Sequence, residues 1–216
     1  MQAELPRNIS DKLPCMVLCA GTSGRFGRDK MLADLGGKPM LAHLLDRLRS
    51  QTGSLAINAN RIAEYQGFGL PVIKDCLEGS LGPLVGILSA LLWAKEQGFE
   101  HILTCAGDTP FIPEDWVKRL QARAGEGPEE RLEQRPEQRI IVSQSQGRAH
   151  YVCALWPVHM AEQLRSDIQN GWRGVGKWIA SQPNTHVGFE SSGDFDPFFN
   201  INTQADLELA EHILRP

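Results

Sequence analysis

Short apolar runs at residues 16–19, 55–58, 71–74 and 102–105, each followed by a loop or a helical pattern, constrain this chain more than any other feature. Runs of this length alternating with helical segments build βαβ units, so a parallel sheet flanked by helices is expected. The first helix opens with Pro39 in its first turn, places Leu41, Leu44, Leu45 and Leu48 on one face, and stops before Gly53. A second opens at Pro83, carries Leu84, Ile87, Leu88, Leu91 and Leu92 on one stripe, and closes at Gly98. Stripes at this spacing read as core rather than as ligand contacts. Further strands are expected at 140–143 and 151–155. A last helix starts at Thr203, where Asp206 makes a cap pairing and Leu207, Ala210, Ile213 and Leu214 form the buried face. Residues 123–139 are rich in Glu, Arg, Gln and Pro with a single Leu, which marks an exposed loop insertion rather than a domain boundary. No internal repeat is visible. With 216 residues, 42% apolar and 22% charged, the chain suits one domain spanning 1–216.

The formal net charge of −4 argues against a protein that coats nucleic acid, which would need a basic surface to displace counterions. An anionic ligand must then be met by local cations, and Arg25, Arg28, Lys30 and Lys38 gather near each other in sequence against Asp29 and Asp34. No apolar run approaches the roughly 20 residues of a membrane helix, and no signal peptide is visible, so a cytoplasmic address and no membrane partner are expected. The five cysteines are odd in number and form no Cys-x-x-Cys pair. Buried free thiols are therefore expected, rather than disulfides or a zinc site.

Leu18-Cys19-Ala20-Gly21-Thr22-Ser23-Gly24-Arg25-Phe26-Gly27-Arg28-Asp29-Lys30 joins the first strand to a loop of small residues ending in cations. Small residues let backbone N–H groups close on phosphate oxygens, and Arg25 and Lys30 place positive charge where a leaving phosphate needs it. The spacing fits neither the Gly-x4-Gly-Lys-Ser/Thr phosphate loop nor the dinucleotide fingerprint. Asp108 directly follows the run 102–105, so it lies beyond the carboxyl end of a strand, where open α/β sheets bind ligands. It is either a Mg2+ ligand or a turn aspartate before Thr109-Pro110. Asn58 and Asn60 follow the second run and offer base or ribose contacts, or simply close a loop, and Asp75 follows the third, where a turn role would suffice. Gly82-Pro83 starts a helix whose free N–H groups could face a phosphate or need no ligand at all. His150 enters a strand, Arg173 lies in Gly171-Trp172-Arg173-Gly174, and Asn200 and Asn202 alternate, which on a strand puts both amides on one face.

The loop resembles the Leu-Ala-Gly-Gly-x-Ser-x-Arg-Met-Gly-x-Asp-Lys pattern of the molybdenum cofactor guanylyltransferase family: Leu18, Gly21, Ser23, Arg25, Gly27, Asp29 and Lys30 match it, while Cys19, Ala20 and Phe26 depart. A Cβ at Ala20 would matter if that position needed a positive φ. Asn58-Ala59-Asn60-Arg61, Gly82-Pro83-Leu84-Val85-Gly86, Asp108-Thr109-Pro110-Phe111-Ile112-Pro113 and Asn200-Ile201-Asn202-Thr203 resemble further motifs of that family, in its order. His150-Tyr151 stands where the family has His-Pro.

The resemblance implies a three-layer, Rossmann-like nucleotidyltransferase fold with a mostly parallel central sheet. It implies transfer of GMP from GTP to molybdenum-bound molybdopterin, releasing pyrophosphate. Arg25, Lys30 and Asp108 would be catalytic, with Asp108 holding Mg2+. Leu18, Cys19, Ala20, Gly21, Lys30, Asn58, Asp75 and Asp108 would bind GTP, and Gly82, His150, Arg173, Asn200 and Asn202 the pterin. Molybdenum-insertion proteins and apo-molybdoenzymes or their chaperones are the expected protein partners. An attacking phosphate monoester, with a second pKa of about 6, needs no Ser-His-Asp arrangement, and none is visible in the sequence. The rival readings are a molybdopterin cytidylyltransferase, a sugar-phosphate nucleotidyltransferase, and a non-catalytic nucleotide or cofactor-binding adaptor.

Overall fold

The computed structural model describes residues 12–20, 29–79, 82–125, 138–191 and 195–214. Strand β1 (Pro14–Leu18) is central, pairing in parallel with β4 (Ser54–Asn58) on one side and β6 (His101–Ala106) on the other. A two-residue β5 (Val72–Ile73) adds to β4 in parallel, whereas β8 (Arg148–Pro157) runs antiparallel beside β6. β7 (Ile140–Ser145) pairs antiparallel with β8, and β9 (Asn184–Phe189) closes the far edge in parallel with β7. The seven-stranded order is β5-β4-β1-β6-β8-β7-β9, with β2 (Asp34–Leu35) and β3 (Lys38–Pro39) forming a separate ribbon. Only β8 opposes the rest, so the sheet is mostly parallel as expected.

Alternation along the strands builds two cores. Cys15 and Val17 of β1 face one layer, made by α1 (Met40–Arg49), α4 (Trp116–Gly125) and α7 (Gln204–Leu214). Met16 faces the other, made by α3 (Pro83–Glu96), α5 (Ala161–Gln169) and α6 (Val175–Ala180). The short α2 (Ile62–Tyr65) buries Tyr65 in the first layer. α1 buries all four predicted leucines. In α3 every residue from Leu84 to Leu91 is buried, because this helix wedges between the sheet and α5 instead of lying on the surface. Such all-round burial is what its apolar composition requires.

Some expectations need correction. The run 71–74 contracts to β5, a half-buried edge pair. Residues 123–125 of the expected loop complete α4, with Ala124 buried, while 126–137 lie outside the described residues. α7 buries Leu207 and Ala210, but Leu214 is exposed. Four thiols are buried as expected, and Cys76 is exposed. No described helix is long and apolar enough to cross a membrane.

The chain moves from β1 to β4 and β5, then returns to the other side of β1 to form β6. This reversal places the switch point between β1 and β6, where a crevice opens beyond the carboxyl ends of the strands.

Candidate functional site

At that crevice Gly107 N–H donates to Leu18 O at 3.1 Å, and Cys19 N–H donates to Asn58 O at 2.8 Å, so the ends of β6, β1 and β4 are held together. Asp108 then leaves β6 in a turn closed by Thr109, whose hydroxyl donates to Ala106 O at 2.6 Å. The Asp108 side chain is nearly buried and takes two partners. Lys30 Nζ lies 2.5 Å from Oδ2, and Asn200 Nδ2 donates to Oδ1 at 2.7 Å. Lys30 Nζ also donates to Asn202 Oδ1 at 2.8 Å. Ile201 N–H donates to the Asp108 carbonyl at 3.0 Å, which fixes residues 200–202 over this pair. Residues up to 172 positions apart in sequence are thus drawn onto one cation and one carboxylate. Neither Asn200 nor Asn202 lies on a strand, so the alternation argument fails. An irregular segment delivers both amides, and it delivers them to Lys30 and Asp108.

The opposite wall comes from β4, β5 and α3. Asn58 is fully buried and donates through Nδ2 to Ile73 O and Asp75 Oδ1, both at 3.1 Å. Asn60 donates to Asp75 Oδ2 at 2.9 Å and accepts from Asp75 N–H at 3.1 Å. Gly82 caps α3 with φ of 80°, a conformation that favours glycine, and Pro83 begins the helix. A cavity of about 570 Å³ lies between the walls, touched by Leu18, Ala20, Lys30, Asn58, Asp75, Gly82 and Asp108. That volume falls within the range usual for small-molecule sites. Ala20 fits without strain, since Gln146 is the one described non-glycine residue with positive φ.

Of the other predicted site residues, Cys19, His150 and Arg173 do not line this cavity. Gly21 and Arg25 lie outside the described residues. Cys19 turns its thiol into the core, where a Cβ on Gly107 would come within 2.6 Å of its Sγ, and burial pushes that thiol well up in pKa. With its N–H also engaged by Asn58, Cys19 presents neither group to the cavity. Arg173 turns its guanidinium back onto the carbonyls of Ile168 and Trp172, both at 2.7 Å, which closes the end of α5. His150 stacks on Phe198 with ring centroids 4.6 Å apart and meets Ser145 Oγ at 2.6 Å. Ser145 in turn donates to Asp196 Oδ1 at 2.6 Å. A serine, a histidine and an aspartate therefore do meet, contrary to the sequence reading. Ser145 is buried and spends its proton on Asp196, so the group ties down the segment leading to Asn200 and is no nucleophile.

Sequence reasoning assigned no role to Asp29 and Tyr65, although Asp29 sits in the matched loop. Its carboxylate caps the turn at Lys30–Leu32 and receives Arg61 and Tyr65. Among the described residues no cluster of three or more His, Cys, Asp or Glu could hold a metal ion. Asp108 is the cavity-lining carboxylate paired with Lys30, and Asp75 faces the cavity from the opposite wall. A lone carboxylate suits Mg2+ arriving with substrate phosphates and its own waters, and does not suit a permanently caged ion.

A mostly parallel sheet with a cation- and carboxylate-lined cavity at its switch point defines a Rossmann-like α/β domain with a site suited to an anionic ligand. Solved structures share the fold. A molybdopterin-guanine dinucleotide biosynthesis protein A from Archaeoglobus fulgidus superposes with a TM-score of 0.71 at 20% identity, covering 93% of this chain and 98% of that one. A 4-diphosphocytidyl-2C-methyl-D-erythritolsynthase from Anaerococcus prevotii reaches 0.67 at 14% identity, covering 96% and 98%. The chain belongs to the MobA-like NTP transferase family, whose domain matches residues 15–186. Among its relatives, a molybdenum cofactor guanylyltransferase of Rhodopseudomonas palustris is 40% identical over 205 residues, covering 93% of each chain. One from Rhizobium meliloti is 38% identical over 206 residues, covering 92% of this chain and 90% of that one.

Proposed function

We propose that this protein transfers GMP from GTP to molybdenum-bound molybdopterin, forming the guanine dinucleotide and pyrophosphate. The observation that carries this reading is Lys30, held at the cavity wall between Asp108 and Asn202, in a chain whose relatives at about 40% identity bear the guanylyltransferase name. A terminal phosphate oxygen of the pterin forms a bond to the α-phosphorus of GTP, and the bond from that phosphorus to the bridging oxygen of pyrophosphate breaks. The attacking phosphate is already largely doubly ionised near neutral pH, so no general base is required. The barrier lies in bringing two anions together and in the charge that builds on pyrophosphate.

Lys30 offers a fixed positive charge for the triphosphate, and Arg25 would add a second. Asn58, Asn60 and Asp75 present fixed amide and carboxylate groups for the base and ribose. Asn200 and Asn202 hold the acceptor side against Lys30 and Asp108, where alignment of the reacting groups is decided. Asp108 would hold Mg2+, which when bound neutralises phosphate charge and orients the oxygens.

The test is to incubate the protein with Mg2+, molybdenum-loaded pterin and GTP, CTP, ATP or UTP separately, measuring pyrophosphate and the nucleotide joined to the pterin. Reaction with GTP alone is expected. Reaction with CTP would replace this reading with a cytidylyltransferase, and GTP binding without pyrophosphate release would make the chain an adaptor. Asp108→Ala is expected to lower turnover by about a hundredfold or more. Wild-type turnover with unchanged magnesium dependence in that variant would remove Asp108 from its role.

A further inference from the structure

We propose that Asp29 is a positioning residue that acts through Lys30: its carboxylate, clamped by Arg61 and Tyr65 from the chain beyond β4, fixes where the lysine reaches. This rests on the reading of Lys30 as a nucleotide-binding cation.

Asp29 lies directly before Lys30 and is 8% exposed. Oδ1 accepts from Met31 N–H at 3.1 Å, which closes the turn that carries Lys30. Oδ2 accepts from Arg61 Nη2 at 2.9 Å and from the Tyr65 hydroxyl at 2.7 Å. Capping one short turn requires only the first of these bonds. The other two come from 32 and 36 residues away, on the chain just beyond β4. β1 and β4 are laddered only as far as Cys19 and Asn58; past that point the clamp is a direct tie between their two continuations.

The clamp also settles what its members do not do. Asp29 does not line the cavity that Asp108 lines, and its carboxylate faces Met31, Arg61 and Tyr65, so it is not a second metal ligand beside Asp108. Arg61 is shared between Asp29 and Glu64, the latter at 3.1 Å, and unlike Lys30 it does not line the cavity, which makes it a strut rather than a phosphate ligand. Burial pushes the Tyr65 phenol up in pKa, so it remains a donor to the carboxylate. A lysine on a flexible four-carbon stem loses precision when its backbone is loosened. Small misplacement of a charge-bearing group is costly at a site that works by alignment.

The experiment measures affinity for Mg-GTP by calorimetry, with no acceptor present, in wild type, Asp29→Asn, Tyr65→Phe, Lys30→Ala and the Asp29→Asn/Lys30→Ala double variant. Asp29→Asn keeps the acceptor for Met31 N–H but removes the charge from Arg61, and is expected to weaken GTP binding about tenfold. Tyr65→Phe, which keeps the buried ring, is expected to weaken it about fivefold and guards against a misfolded Asp29→Asn. In the Lys30→Ala background Asp29→Asn is expected to cost nothing further, because its effect passes through the lysine. Additive losses in the double variant would overturn the proposal, since a merely structural defect acts with or without Lys30. Wild-type affinity in both Asp29→Asn and Tyr65→Phe would overturn it as well. If Lys30→Ala binds GTP like wild type, the reading of Lys30 itself fails and the inference with it.

Discussion

A Cβ built on Gly86 would come within 2.8 Å of Asn58 Oδ1 and 3.4 Å of a Leu18 methyl, in a helix whose backbone would otherwise accept alanine. Asn58 cannot easily give way. Its Nδ2 donates to Ile73 O and Asp75 Oδ1, which only accept, so flipping the amide would lose both bonds. Its Oδ1 is buried without a partner among the described residues. Gly86→Ala gains about 1 kcal/mol of helix propensity, while forcing a methyl into a filled site costs about 1–3 kcal/mol. The clash wins: a lower denaturation midpoint and weaker GTP binding are expected, and a stabilised variant with unchanged binding would refute this account. The same scale shows what the loop sequence hid. Leu18 and Ala20 reach the cavity and the Cys19 thiol does not, as strict alternation at the end of β1 demands. A motif match assigns neighbours together where the pleat separates them.

Helix α7 begins with reciprocal bonds: Thr203 N–H donates to Asp206 Oδ2 at 2.8 Å, and Asp206 N–H donates to Thr203 Oγ1 at 3.2 Å. Asp206 Oδ2 also accepts from Asn202 N–H at 2.9 Å, so the cap that starts the helix holds a site residue as well. Asp206→Ala should therefore lower stability by about 1–2 kcal/mol in chemical denaturation, as loss of a cap does. Thr203→Ala, which leaves the carboxylate on Asn202 N–H, should cost only about half as much. This cap was legible because its signal is local, and so were β1, β4 and β6, whose buried apolar runs need no partner to be recognised. β9 was not legible: it is a half-exposed edge strand with little apolar alternation. α4 reaches that edge through charges, Arg119 donating to Gly188 O at 2.6 Å and lying 4.5 Å over the Phe189 ring. Contacts of that kind exist only once both elements are placed, so periodicity cannot announce them. The Asn200–Asp108 meeting was likewise invisible, since the segment that makes it has no regular structure.

Acid should weaken the whole molecule through its histidines, because three of them in separate parts of the fold favour the neutral form. His43 lies in α1 with Nε2 2.6 Å from Leu35 O, His150 stacks on Phe198, and His159 follows β8. Burial is the main cause that lowers each pKa; Leu35 O opposes it at His43, Asp196 opposes it at His150, and His101 reinforces it at His159. An unfolded histidine titrates near 6.5, so between that value and the lower folded values the unfolded chain binds more protons. Stability is then complete above about pH 6.5 and is lost as pH falls through the window below it. Asp46, chiefly through its bond from Lys38, and Glu162, chiefly through its bond from Lys95, have lowered pKa values, so their contributions fade only at more acid pH. Urea denaturation at pH 7.5 and pH 5.5 should give a lower midpoint at pH 5.5 with the same slope. Turnover should fall in the same window for a second reason, since a phosphate monoester loses its second charge near pH 6 and becomes a poorer nucleophile. The two causes separate in a His150→Gln variant: neutral at every pH, it should show a smaller acid shift of the urea midpoint, while the acid limb of turnover stays where it was. An unchanged midpoint shift would exclude His150 as a contributor.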